Sequence, residues 1–146
     1  SPKLSQGMQL GFRLTANPTI AKKLKPEDKR SKRIDVMMHA KKQLQQRGET
    51  DSCIIQQAMT EAAQNWLMDE KRQAEGGFHF IAAPDVVSSE QHQTFKKNGK
   101  GAIQFTSVDY QGVLTVTDPE KFEATLYKGI GRSKAFGCGL MLIRRI

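Results

Sequence analysis

The chain has 146 residues, 38% of them apolar, which suits one folded domain with a core and a polar surface. Its apolar stretches are far too short to span a bilayer, and its opening residues carry no apolar leader. A formal net charge of +8 and a sequence isoelectric point near 9.7 point to an anionic partner, most often nucleic acid.

Residues 8–18, MQLGFRLTANP, read as a strand. Leu10, Phe12 and Leu14 alternate with Gln9, Gly11 and Arg13, and Asn17-Pro18 breaks the run. Residues 22–33 hold Lys22, Lys23, Lys25, Lys29, Arg30, Lys32 and Arg33 against Glu27 and Asp28, with only Leu24 to bury. This segment reads as an exposed loop or hairpin tip. Residues 33–38 follow as a second short strand, with Ile34, Val36 and Met38 on one face, and 39–52 as a polar linker, disordered or partly helical.

The main helix is predicted over 53–77, where Ile55, Met59, Ala62 and Trp66 recur at helical spacing. Asp51 or Ser52 caps its start and Gly76-Gly77 stops it. Trp66 reads as core rather than as a platform for base stacking. Residues 78–87 form a strand closed by Pro84, and 88–101 a polar, turn-rich stretch with a hairpin signal at Asn98-Gly99. Residues 102–118 carry two β runs with Gly112 as a bulge or kink. A short helix over 118–129 has Asp118 as cap, Pro119 in its first turn, Phe122 and Leu126 facing inward and Gly129 at its end. The last strand covers 140–144. Cys53 and Cys138 lie far apart with no CxxC pair, so neither a disulfide framework nor a zinc site is supported, and free thiols in a reducing cytosol are the plain reading.

Without the basic insertions the order is strand, helix, strand, strand, helix, strand. That is the α+β, ferredoxin-like βαββαβ plan, here a single domain over 1–146. It places helices on one face of an antiparallel sheet and leaves the other face for a partner, a layout that does not itself prove a function.

The segment 129–146, GIGRSKAFGCGLMLIRRI, brackets Arg132 and Lys134 with Gly129, Gly131, Gly137 and Gly139. It lacks both GxxxxGK[ST] and GxGxxG, and it precedes a strand rather than a helix. Glycines remove the side chains that would hold a phosphate away from backbone N–H groups, and Arg132 and Lys134 supply charge. A mere helix-to-strand turn is the alternative.

GIGRSKAFGCGLMLI resembles the C-terminal glycine-rich signature of the RAMP proteins of CRISPR systems. LGFRLTANPT near the start, KR before the second strand and YQGVLTV at 110–116 narrow the resemblance to the CasE family, type I-E endoribonucleases that process CRISPR precursor RNA. The resemblance implies two ferredoxin-like domains in tandem, with this chain matching the C-terminal one and the catalytic histidine lying in the N-terminal one. It implies cleavage at the base of a repeat stem-loop without metal or other cofactor. The implied partners are the CRISPR repeat stem-loop RNA, the family protein's N-terminal domain and the subunits of the Cascade complex, in a prokaryotic cytoplasm and away from any membrane.

Chemistry of that kind uses the RNA's own 2′-hydroxyl as nucleophile, and histidine suits the proton transfer. Of His39, His79 and His92, His92 is the local catalytic candidate because it falls in the basic loop. The residues read as RNA-binding are Lys22, Lys23, Lys29, Arg30, Lys32 and Arg33, then Lys96, Lys97 and Lys100 in the second hairpin, with Gly129, Gly131, Arg132, Lys134, Gly137 and Gly139 in the terminal loop. A slim basic hairpin can reach the backbone of A-form RNA at its narrow groove, and Phe95 would either stack on a base or pin the loop to the sheet. The alternatives are a general RNA-binding module, which predicts aromatic platforms on the open sheet face, and a ferredoxin-like regulatory or dimerisation domain.

Overall fold

Alternation in the first strand sets the layers. In the computed structural model, which describes residues 3–23, 25–95, 101–132 and 137–146, β1 (Gln9–Ala16) turns Leu10, Phe12, Leu14 and Ala16 inward. It lies between β6 (Ala102–Val116) and β7 (Met141–Arg145), antiparallel to both. The outer edge of β6 carries two consecutive pieces, β4 (Phe78–His79) and β5 (Asp85–Phe95). The edge is interrupted at Pro84, which has no N–H to give to a ladder. The first and last strands are therefore neighbours, as the ferredoxin-like plan requires.

Val108, Tyr110, Leu114 and Val116 of β6 share the inward face with the β1 residues. Against them pack Ala63, Trp66 and Leu67 of α2 (Ser52–Leu67) and Phe122 of α4 (Pro119–Lys128). Asp51 caps α2 and Asp118 caps α4, each carboxylate accepting two backbone N–H bonds. The Tyr110 hydroxyl donates to the Ala63 carbonyl at 2.7 Å, and burial pushes this phenol well above its ordinary range.

Several expectations are corrected. Residues 33–38 are not one strand: β3 (Lys32–Asp35) ends where Asp35 caps α1 (Val36–Gln46), so Val36 and Met38 lie on a helix. Asp35 Oδ1 accepts from the N–H groups of Met37 and Met38 at 2.9 and 3.2 Å. The polar linker is thus largely α1, which docks on one side only and fully buries only Met37. So narrow an apolar stripe leaves little periodicity to read. The long helix breaks at Met68 and Asp69, and Asp69 caps a separate α3 (Glu70–Gly76) that ends at left-handed Gly77.

Residues 85–95 form a strand although they are polar. Their register with β6 runs from Asp85–Gln111 to Phe95–Ala102. Of residues 85–93, Val86 and His92 are half-buried and the others exposed, so apolar alternation is absent and 88–95 reads as loop; the strand expected over 78–87 is split between β4 and the start of β5. β6 is one continuous strand rather than two. The irregularity falls on its partner, between Val86 and Ser88. Gly112 leaves room instead: a β-carbon there would stand 3.1 Å from the Phe12 ring and 3.5 Å from Pro84.

β2 (Thr19–Lys22) pairs with β3 as a separate two-stranded hairpin. It is tied to the body by the Val36 N–H bond to the Pro18 carbonyl at 3.1 Å, and by the Thr106 hydroxyl donating to Asp35 Oδ2. Asp35 therefore serves α1, the hairpin base and β6 together. Asp35→Ala is expected to lower stability by about 1–3 kcal/mol in urea unfolding, from the lost cap and the half-buried pair. In Asp35→Ala/Thr106→Val the loss should be smaller than the sum of the single changes, since both polar partners go together.

Candidate nucleic-acid interface

The basic hairpin is built against its own stability. Its register places Lys22 opposite Lys32 and Ala21 opposite Arg33. Like charges directly across a ladder repel. Lys22, Lys23, Lys29, Arg30, Lys32 and Arg33 are all exposed. The turn closes where Asp28 Oδ2 accepts from the Lys25 N–H at 3.0 Å. The expectation of an exposed hairpin tip holds for this segment, apart from Leu24, which lies outside the described residues.

In the terminal loop Gly129, Gly131, Gly137 and Gly139 all adopt positive φ, between 82° and 96°. Gly131 is also constrained by contact. A β-carbon there would lie 3.0 Å from Cη2 and 3.2 Å from Cζ2 of Trp66. The loop closes on itself through the Ile130 N–H bond to the Gly139 carbonyl at 2.7 Å, and onto β1 through the Gly139 N–H bond to the Thr15 carbonyl at 2.6 Å. Arg132 is exposed, whereas Lys134 lies outside the described residues.

Trp66 joins these two segments. Its Nε1 donates to the Thr19 carbonyl at the foot of the hairpin at 3.0 Å, while its ring supports Gly131. Over the ring lies the Arg72 guanidinium, 4.0 Å from the centroid, whose Nε donates to the Trp66 carbonyl at 3.0 Å. Burial lowers the Arg72 pKa, Asp69 works against that shift, and nearby Arg33 adds to it. Trp66 is core, as expected, at 6% exposure. Arg72 was not singled out by the sequence, because an arginine near the end of a polar helical stretch is an ordinary surface residue there.

The β5–β6 ribbon carries the second hairpin. Lys96, Lys97, Lys100 and the Asn98-Gly99 turn lie outside the described residues, and Phe95 at the ribbon's far end is 76% exposed. His92 sits within β5 rather than in a loop. Its ring stacks on Phe105 at 4.6 Å between centroids, and its Nε2 lies 2.7 Å from the Ser107 hydroxyl and 4.0 Å from Glu90. The expectation of a loop position for His92 is thus corrected; strand pairing sets His92 opposite Phe105. His39 falls on α1 and His79 is exposed on β4. Among the described residues no group of three or more His, Cys, Asp or Glu side chains is placed to hold a metal ion.

On the open sheet face, Thr15 and Ser88 hydroxyls donate to Asp109, the latter at 2.8 Å. These two bonds hold the Asp109 carboxyl below its usual range against a smaller opposing effect of burial, and the charge of Arg13 adds the least. Leu140 and Leu142 stand exposed beside it, around a depression of about 360 Å³. Phe12, Phe78, Phe80, Tyr110 and Phe122 are buried in the core, so they provide no stacking platform on this face.

Residues 1–145 match the family model described as CRISPR associated protein. The chain is 33% identical over 153 residues to the CRISPR-associated endoribonuclease Cse3 of Thermus thermophilus, a match covering 97% of this chain and 58% of that protein. It is 32% identical over 142 residues to the CRISPR system Cascade subunit CasE of Escherichia coli, covering 95% and 59%. A solved structure of CRISPR endoribonuclease Cse3 bound to a 19-nucleotide RNA superposes with a TM-score of 0.64 at 28% identity, over 99% of this chain and 59% of that one.

Two outcomes follow from the geometry. Gly131→Ala should destabilise the fold by about 1–2 kcal/mol, from the left-handed backbone alone, and more if the Trp66 ring does not yield. A melting series beside Gly137→Ala, where a β-carbon meets nothing within 4 Å, isolates the ring contact. For Asp109 the folded-state pKa is depressed. Its contribution is therefore present above the unfolded value, about 3.9, and lost as pH falls through the folded value. Asp109→Asn should flatten the fall of the melting temperature below about pH 5.

Proposed function

Because the chain belongs to the CRISPR-associated protein family, we propose that it is the RNA-holding domain of an endoribonuclease that processes CRISPR repeat RNA. The chain spans 58–59% of the length of the curated relatives it matches. In this reading it corresponds to the C-terminal ferredoxin-like domain, and the rest of the protein supplies the acid–base histidine. The observation that carries the reading is the pairing of Lys22 with Lys32 on a hairpin whose foot and the glycine-rich loop both rest on Trp66. A repelling, exposed cation ladder is compensated when a polyanion binds it. A purely regulatory or dimerising domain gives no reason for that ladder.

The ligand is a CRISPR repeat stem-loop. The cations of the 22–33 hairpin and Arg132 contact phosphates, and the glycines of the loop let backbone approach backbone. Lys96, Lys97, Lys100 and Lys134 are further candidate phosphate contacts in this proposal. Cleavage by the 2′-hydroxyl needs that group in line with the phosphate and a placed proton carrier. Here the chain's part is to hold and orient the stem. His92 remains a candidate only as a group already held by Ser107 and Phe105. The product RNA stays bound and the protein assembles with Cascade subunits. The setting is the prokaryotic cytoplasm; no helix among the described residues is long and apolar enough to cross a membrane.

The test is incubation of the purified chain with a labelled repeat stem-loop. Retarded but intact RNA is expected. Absence of the acid–base group alone forgoes roughly 10²–10⁴-fold in rate. Replacing Lys22, Lys29 and Lys32 by Ala should lower affinity and reduce the log–log salt slope by somewhat under one for each phosphate no longer neutralised. Cutting at one site, abolished by His92→Ala, would place the active centre in this chain instead.

A further inference from the structure

Arg72 lies over the Trp66 ring, whose indole N–H holds the foot of the hairpin that carries Arg33. Among the described residues the ion pairs are Lys71–Glu75 and His92–Glu90, so no carboxylate neutralises either guanidinium by contact. Arg72 is also half-buried. Asp69 and Glu75 act on it only through space, so a partly desolvated guanidinium is left without a contacting acceptor of opposite sign.

Arg72 is held rigidly. Its Nε bond to the Trp66 carbonyl caps an open acceptor in the last turn of α2, and its Cζ lies 4.0 Å from the indole centroid. Its backbone N–H is fixed by Asp69 at 3.1 Å. Capping accounts for Nε. It does not account for the two Nη groups, which find no protein acceptor among the described residues. A guanidinium fork presented in one fixed orientation matches two oxygens of a phosphate. The Trp66 ring beneath it also supports Gly131, and the indole N–H holds the foot of the hairpin on which Arg33 stands.

We propose that Arg72, held over Trp66, is a phosphate-binding site that grips one backbone phosphate of the bound RNA beside the basic hairpin. This rests on the RNA-binding reading above and adds a ligand from α3, outside both segments. The phosphate is ordered because little guanidinium freedom is left to lose on binding.

The experiment uses the whole chain, a fluorescein-labelled repeat stem-loop, a KCl series, and the emission of Trp66, the single tryptophan. Arg72→Gln should weaken binding about tenfold and reduce the log–log salt slope by somewhat under one. Arg72→Lys should keep the slope and still lose severalfold in affinity, because a point charge replaces the fork. RNA should change Trp66 emission in the parent chain and much less in Arg72→Gln. Folding of each variant is checked by circular dichroism and melting. If the parent binds and both variants bind with unchanged affinity and slope, whatever their melting temperatures, Arg72 is only a structural cap and the inference fails alone. If the parent binds no stem-loop, the RNA-binding reading fails and takes this inference with it. Inorganic phosphate at millimolar concentration is the remaining arm. An emission change as large as that from RNA would make this a free-phosphate site and overturn the assignment.

Discussion

The indole of Trp66 is the joint on which the proposed RNA-facing surface hangs. Its N–H reaches back to Thr19, its far edge bears on Gly131 and its face carries Arg72. Three stretches that are remote in the chain meet on one buried ring. A ring at 6% exposure has little freedom to move, so the hairpin and the terminal loop are referred to the same fixed object. The ring is also core: truncating a buried tryptophan typically costs about 3–5 kcal/mol. Stability and the geometry of the surface therefore depend on the same ring.

Charge and stability are kept apart in space. The hairpin sets Lys22 against Lys32. That repulsion is tolerated because the hairpin does not hold itself in place by its tip. Asp35 at its foot caps α1 and accepts from Thr106 on β6, and Pro18 accepts from Val36. The anchoring groups are half-buried or buried and the cations are exposed. A surface arranged in this way raises the local concentration of an anionic ligand while leaving the fold to the core.

The same separation explains which elements could be read in advance. β1 and α4 were legible because each shows its buried face to the sequence: period two in Leu10, Phe12 and Leu14, and a capped helix with Phe122 inward. α1 and β5 were not. α1 fully buries only Met37, and β5 pairs through its backbone with no apolar face. Hydrophobic periodicity records burial, and these elements bury too little to leave a record.

The sequence by itself determined the first and last strands, the main and the last helix, the basic stretches and, through its motifs, the family. It also marked Trp66 as core. Only the tertiary structure decided what Trp66 touches, that Arg72 lies over it, and that His92 stands stacked within a strand instead of in a loop. The physical reason is distance along the chain. Composition and local spacing carry the preferences of neighbours, whereas a cluster assembled from residues 19, 66, 72 and 131 exists only once the sheet and helices have packed.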